Sequence, residues 1–148
     1  MPESNDSSEE KYSSLLLQNQ LCFPLYACSK EIVKRYKPFL DKIDLTYTQY
    51  ISMMVLWEEK SLSVKTLGEK LFLDSGTLTP MLKNLEKKQY VKRERSQEDE
   101  RVVNISITEK GLALREKALS IPEQMSKCVK ITKEEAATLY SILYKILS

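Results

Sequence analysis

Cys22, Cys28 and Cys128 are the reactive side chains of this 148-residue sequence, which contains no histidine. Without imidazole, His-based triads, imidazole acid/base relays and His-containing zinc sites are excluded. The three glycines, Gly68, Gly76 and Gly111, each stand alone, so neither a dinucleotide fingerprint nor a Walker-type phosphate loop can be written and no cofactor is expected. What remains is thiol chemistry, and phosphate contacts from basic side chains. An odd number of cysteines, with no cationic start followed by an apolar stretch, predicts free thiols in a reducing, cytoplasmic setting. No membrane span is expected: the longest apolar-rich run, Tyr50 to Trp57, is interrupted by Ser52 and falls far short of the ~20 residues a spanning helix needs.

The basic side chains are gathered. The formal net charge is only +2, yet between Lys83 and Arg95 six basic residues (Lys83, Lys87, Lys88, Lys92, Arg93, Arg95) stand against Glu86 and Glu94. Such a run is either the solvated face of a helix or a phosphate-binding patch.

The elements that would position these groups follow from periodicity and capping. Pro24 is tolerated best in a first helical turn, so a helix over about Phe23 to Tyr36 places Cys22 at or just before its N-terminus. A continuous helix from near Leu15, kinked at Pro24, is the competing reading. Thr46 and Gln49 form a capping-box pattern ahead of a helix that buries Tyr50, Met53, Met54 and Trp57 and ends near Lys60. Ser63 caps a short helix over Val64 to Phe72, and Asp74 or Ser75 caps another to about Lys88. Two helices joined by a tight turn read as helix-turn-helix. On the second, Leu78, Met81, Leu82 and Leu85 fall on one side, and Gly76, Thr79, Lys83 and Lys87 on the other. That outward stripe, small at its start and basic further on, suits the major groove of double-stranded DNA.

Tyr90 to Arg95 and Arg101 to Ile107 read as two strands around a polar turn, with Val103, Ile105 and Ile107 inward, and a charged hairpin in this place is a wing. Thr108 caps a helix through about Ser120, Ile121-Pro122 breaks it, and Thr132 with Glu135 caps a last helix carrying Leu139, Leu143 and Ile146. Residues 1–12 read as a disordered acidic tail. Residues 13–148 form one domain, with a winged helix-turn-helix over about 46–107.

With these parts in place, the sequence resembles the MarR family of winged-helix bacterial regulators, and within it the organic-hydroperoxide-resistance regulators. The resemblance runs from Asn19 onward and is carried by Gln18-Asn19-Gln20-Leu21-Cys22-Phe23, by Tyr36 to Lys42, by Leu45 to Tyr50, by Leu73 to Lys83 and by Arg95 to Arg101. It implies a mostly α fold with a small β-hairpin wing, and a homodimer interlocked through helices over about 13–45 and 108–148. It also implies a pseudo-palindromic operator, with recognition helices in successive major grooves. Ser75, Thr77, Thr79 and Lys83 would then face DNA, Lys87 would continue their stripe, and Arg101 would sit in the wing, oriented by Asp99. The bland alternative for the last pair is an exposed turn ion pair of negligible energy.

The same resemblance implies that Cys22 is a redox sensor. A free thiol, with a pKa of about 8.5, is mostly protonated at neutral pH and only the thiolate attacks peroxide quickly, so a sensor needs its anion stabilised. A helix N-terminus supplies part of this. In the family two phenols donate hydrogen bonds to the sulfur; the matching residues are Tyr36 and Tyr47, with Tyr26 lining the same site. If one helix carries Cys22 and Tyr36, fourteen rises of ~1.5 Å separate them by about 21 Å, which requires a second, antiparallel subunit. The alternative for Cys22 is a small buried hydrophobe between Leu21 and Phe23.

Cys28 would lie about 9 Å from Cys22 on that helix, beyond the ~7 Å reach of a disulfide, and is expected to pack. Cys128 falls where two-cysteine members carry a resolving thiol, so the resemblance implies a disulfide from Cys22 to Cys128 of the other subunit, followed by operator release. Single-cysteine members use small thiols instead. The expected protein is thus a repressor sensing organic hydroperoxides, not an enzyme. Its alternatives are a regulator switched by a small lipophilic or phenolic ligand and, with nothing beside Cys22 resembling a peroxidase loop, a thiol peroxidase.

Overall fold

A computed structural model describes residues 6–148. The chain divides into two compact units, Met1–Lys37 and Pro38–Ser148, with the boundary inside a helix. In the first unit, α1 (Asp6–Lys11) precedes two short 3₁₀ turns, Ser13–Leu15 and Leu17–Asn19. Of the acidic tail expected to be disordered over residues 1–12, Asp6–Lys11 form this helix and Tyr12 is a turn; residues 1–5 lie outside the described residues. Lys11 in the last turn complements the helix dipole, and its ammonium rests 5.3 Å from the Tyr12 ring centroid.

Helix α2 (Cys22–Asp41) starts where Pro24 predicts, in its first turn. Leu16 and Gln20 are extended, which rules out one continuous helix from Leu15. It runs past the expected end at Tyr36 and through Pro38. A proline inside a helix forfeits one backbone hydrogen bond, and burial of Leu40, only 2% exposed, offsets that loss in the second unit's core.

The second unit is built around α3 (Tyr47–Glu59), whose capping box with Thr46 and Gln49 is formed as the spacing predicts. Its buried stripe centres on Met53 and Leu56 and includes Tyr50 and Trp57. Met54, expected inside, is 44% exposed, because one residue on from Met53 turns the side chain about 100° away. Ser63 caps α4 (Val64–Leu71), and Phe72 ends it in the left-handed conformation. Asp74 caps α5 (Ser75–Lys87), and Leu78, Leu82 and Leu85 are buried beneath it.

Three strands follow the chain order β1 (Ser61–Ser63), β2 (Val91–Arg95) and β3 (Val103–Ile107) in an antiparallel sheet ordered β1-β3-β2. The hairpin was legible, though its strands are shorter than expected by the residues that belong to the turn. The strand β1 was not: three residues are too few for alternation to register. β3 is the central strand, with Leu62 opposite Ile105, and its Asn104 and Ser106 are half-buried.

Thr108 caps α6 (Glu109–Ala118), and Trp57 Nε1 donates to the Gly111 carbonyl at 2.9 Å, tying α6 to α3. Pro122 does more than break that helix; it stands in the first turn of a new one, α7 (Ile121–Cys128), where its missing N–H costs nothing. The last helix, α8 (Lys133–Leu147), opens with the Thr132–Glu135 capping box. It buries no residue, and Leu139, Tyr140, Ile142, Tyr144 and Ile146 are exposed.

Candidate DNA interface and thiol site

Helix α5 presents its first turn to solvent. The Asp74 carboxylate accepts from the Thr77 N–H at 2.7 Å, and Asp74, Ser75, Gly76 and Thr77 are all exposed; Lys83 and Lys87 are exposed further along, and Thr79 is half-buried. A cleft of about 950 Å³ between α4, α5 and the wing brings together Ser75, Thr79, Lys83, Arg93, Arg95 and Arg101. Thr77, Lys87 and Asp99 do not line it. Arg93 and Arg95 come from the basic run noted in the sequence, where nothing in a charged strand says which face its side chains take; Lys65 on α4 is the basic residue of the cleft that the sequence reading missed. Glu86 on α5 accepts from the Arg93 backbone N–H at 2.8 Å and lies 3.6 Å from the guanidinium Nε, so the wing strand is tied to the recognition helix.

The wing turn is closed by Ser96 N–H to the Val102 carbonyl at 2.8 Å and Val102 N–H to the Asp99 carbonyl at 2.9 Å. Arg101 donates to Asp99 through Nε at 3.1 Å, Nη2 at 3.3 Å and its backbone N–H at 3.1 Å. Its side chain is nevertheless 91% exposed, so the carboxylate aims a guanidinium that stays open to a partner. Those bonds, the side-chain one foremost, hold the Asp99 carboxyl below its ordinary pKa. A lowered carboxylate pKa keeps the pair intact above the ordinary value of about 4 and loses it only as pH falls through the lowered one. Operator affinity measured from about pH 5 to 8 should accordingly show no titration from Asp99. Arg101→Ala should weaken operator binding about tenfold and reduce the slope against log salt by about 1; anisotropy titrations at several salt concentrations check it.

The thiol residues lie on separate elements. Cys22 is the first residue of α2 and is exposed, as are Phe23 and Tyr26, whose ring has the Lys30 ammonium 5.2 Å from its centroid. Tyr36 is half-buried on the same helix, so about 21 Å of helix axis lies between its Cα and that of Cys22. Tyr47 is the first residue of α3, half-buried, its ring centroid 6.4 Å from that of Tyr50. Burial pushes its phenol pKa up, which keeps the hydroxyl protonated and able to donate. Cys128 ends α7, half-buried, with its S–H donating to the Gln124 carbonyl at 3.4 Å. Cys28, expected to pack, is exposed, and none of the three cysteines is in a disulfide.

Residues 34–117 match the family model of the SarA/Rot transcriptional regulators. Over 139 residues, covering 94% of this chain and 95% of the relative, the sequence is 51% identical to the organic hydroperoxide resistance transcriptional regulator of Bacillus subtilis. The chain belongs to the MarR family of winged-helix transcriptional regulators, in its organic-hydroperoxide-resistance branch. A regulator of this family acts by binding and is not an enzyme. Among solved structures, this MarR-family chain is similar to reduced AbfR bound to DNA, with a TM-score of 0.77 at 35% identity over 94% of this chain and 96% of that one. It is also similar to disulfide-formed AbfR, with a TM-score of 0.64 at 35% identity over 95% and 99%. AbfR is a protein of Staphylococcus epidermidis. No helix among the described residues of the regulator is long and apolar enough to cross a membrane.

Proposed function

We propose that this protein is a cytoplasmic, homodimeric repressor that senses organic hydroperoxides through Cys22 and then leaves its operator. The observation that carries the reading is the placement of Cys22, exposed at the first position of a 20-residue helix on a chain whose other half is a DNA-binding wing and recognition helix. The Cys22 thiolate attacks the terminal peroxide oxygen, the O–O bond breaks, and an alcohol leaves after taking up a proton. The product is a sulfenic acid. The thiolate of Cys128 from the second subunit then attacks that sulfur, the S–O bond breaks, and water leaves with one further proton.

The dimer supports this scheme because Tyr36 cannot reach Cys22 along its own helix. A second chain laid antiparallel would bring its Tyr36, and with it Tyr47, toward the sulfur, while Tyr26 lies one helical turn from Cys22 on the same chain. The apolar side chains of residues 13–45 and 108–148, exposed on α2 and along α8, are the surfaces such a dimer would cover. On DNA, Ser75, Thr77 and Thr79 would meet base edges, and Lys83, Lys87 and Arg101 phosphates or groove edges, in two half-sites of a pseudo-palindrome.

The test is non-reducing electrophoresis of hydroperoxide-treated protein alongside operator binding. The native chain should run as a covalent dimer that no longer binds, and Cys128→Ser should remain a monomer on the gel. Native protein that carries only a small thiol on Cys22 would remove Cys128 from the scheme.

A further inference from the structure

Gln49 has two separate sets of partners. It closes the capping box of α3, its N–H donating to Thr46 Oγ1 at 3.3 Å and its Oε1 accepting from the Thr46 N–H at 3.0 Å. An N3 glutamine needs nothing more for that purpose. Its Nε2 nevertheless donates to Asn84 Oδ1 on the recognition helix at 2.8 Å, across 35 positions of sequence. Lys88, the residue after α5, donates to Gln49 Oε1 at 3.4 Å and pairs with Asp44 Oδ2 at 3.3 Å. Both groups that approach Oε1 are donors only, a backbone N–H and an ammonium, so the amide has one orientation here. Gln49 is 4% exposed; a buried amide must keep its partners.

The first turn of α3 is thus pinned to the C-terminal half of α5 at Asn84 and to the residue that follows the helix, Lys88. That first turn begins with Tyr47. Apolar contacts slide over small displacements with little change in energy, whereas a hydrogen bond weakens steeply with distance and angle. Movement at the start of α3 must therefore either carry Asn84 and Lys88 along or strand the buried amide.

We propose that Gln49, with Asn84 and Lys88, is the positioning link that passes displacement of Tyr47 to the recognition helix. The inference rests on the reading that Tyr47 responds to oxidation of Cys22. It assigns a role to residues that touch neither the thiol nor DNA.

Operator affinity of the full-length protein, measured reduced and after treatment with an organic hydroperoxide, tests it in the native chain, Asn84→Ala and Gln49→Met, with loss of the Cys22 thiol followed in each. Both variants should oxidise at the native rate. The ratio of oxidised to reduced dissociation constants should nevertheless fall about tenfold, within the range of ordinary coupling between sites. A merely structural role would weaken both redox states together and leave that ratio unchanged, which overturns the proposal. Asn84 is exposed, so Asn84→Ala decides the matter if the buried Gln49→Met variant does not fold. Release of the native chain and of Asn84→Ala to the same extent sinks the link alone. Failure of oxidation to release the native chain sinks the sensing reading, and the link with it.

Discussion

With Cys22→Ser, an organic hydroperoxide that strips the native protein from its operator leaves the variant bound. Serine keeps the size and position of the side chain at the first residue of α2, but its hydroxyl is not a nucleophile toward peroxide at neutral pH and cannot form a disulfide. The expected difference is large because the readout is bivalent. Two recognition helices must meet half-sites about 34 Å apart, and losing simultaneous engagement costs on the order of 10²-fold in affinity or more. Reduced Cys22→Ser should bind as the reduced native protein does, since Cys22 lies on α2 and the residues proposed to face DNA lie on α5 and the wing. The measurement is operator anisotropy before and after hydroperoxide. Release of the serine variant by hydroperoxide would place the sensor elsewhere. Release of both proteins by a small lipophilic or phenolic compound without oxidant would favour a ligand-switched regulator.

Gly111→Ala should be the most destabilising single methyl that can be added to this chain's glycines. A Cβ at Gly111 would lie 2.2 Å from the Tyr90 carbonyl oxygen and 2.9 Å from Ile107 Cγ1. The first of these is backbone, and it is already engaged: the Tyr90 carbonyl accepts from the Thr108 N–H at 3.1 Å. Around the same residue, Gly111 N–H donates to the Thr108 cap at 3.0 Å and the Gly111 carbonyl accepts from buried Trp57 at 2.9 Å. Relief would therefore have to separate α6 from the start of the wing, or from α3. A loss of about 2–4 kcal/mol is expected, read as a lower denaturant midpoint at unchanged slope. Gly76→Ala is the comparison. Its Cβ would meet only the Asp74 carboxylate, at 3.2 Å, a side chain that can give, and alanine is the better helix former, so stability should change by less than about 1 kcal/mol. Equal losses at both positions would contradict the packing argument.

What could be read in the sequence is what is decided within four residues. Thr46 with Gln49 and Thr132 with Glu135 are capping boxes, and Ser63, Asp74 and Thr108 are caps, all formed as their spacing predicts. The two faces of α5 follow from a period of 3.6, and Pro24 in a first turn places Cys22 at a helix start. The role proposed for the phenols of Tyr36 and Tyr47 rests on resemblance to a family, because no local rule pairs either of them with a thiol on another chain.

The tertiary structure decided whatever depends on residues far apart in sequence. Strand β1 is a strand because β3 offers it a register, and α2 passes Pro38 because Leu40 has a core to enter. Arg93 reaches the cleft because Glu86, on another element, holds its strand there. Gln49 looks like an ordinary cap until Asn84 stands opposite its free amide, and Gly111 looks like any isolated glycine until the Tyr90 carbonyl closes over it. Hydrogen bonds and close approaches between distant segments leave no periodic trace in the sequence, since either partner could be several residue types and only the folded backbone brings the two within reach.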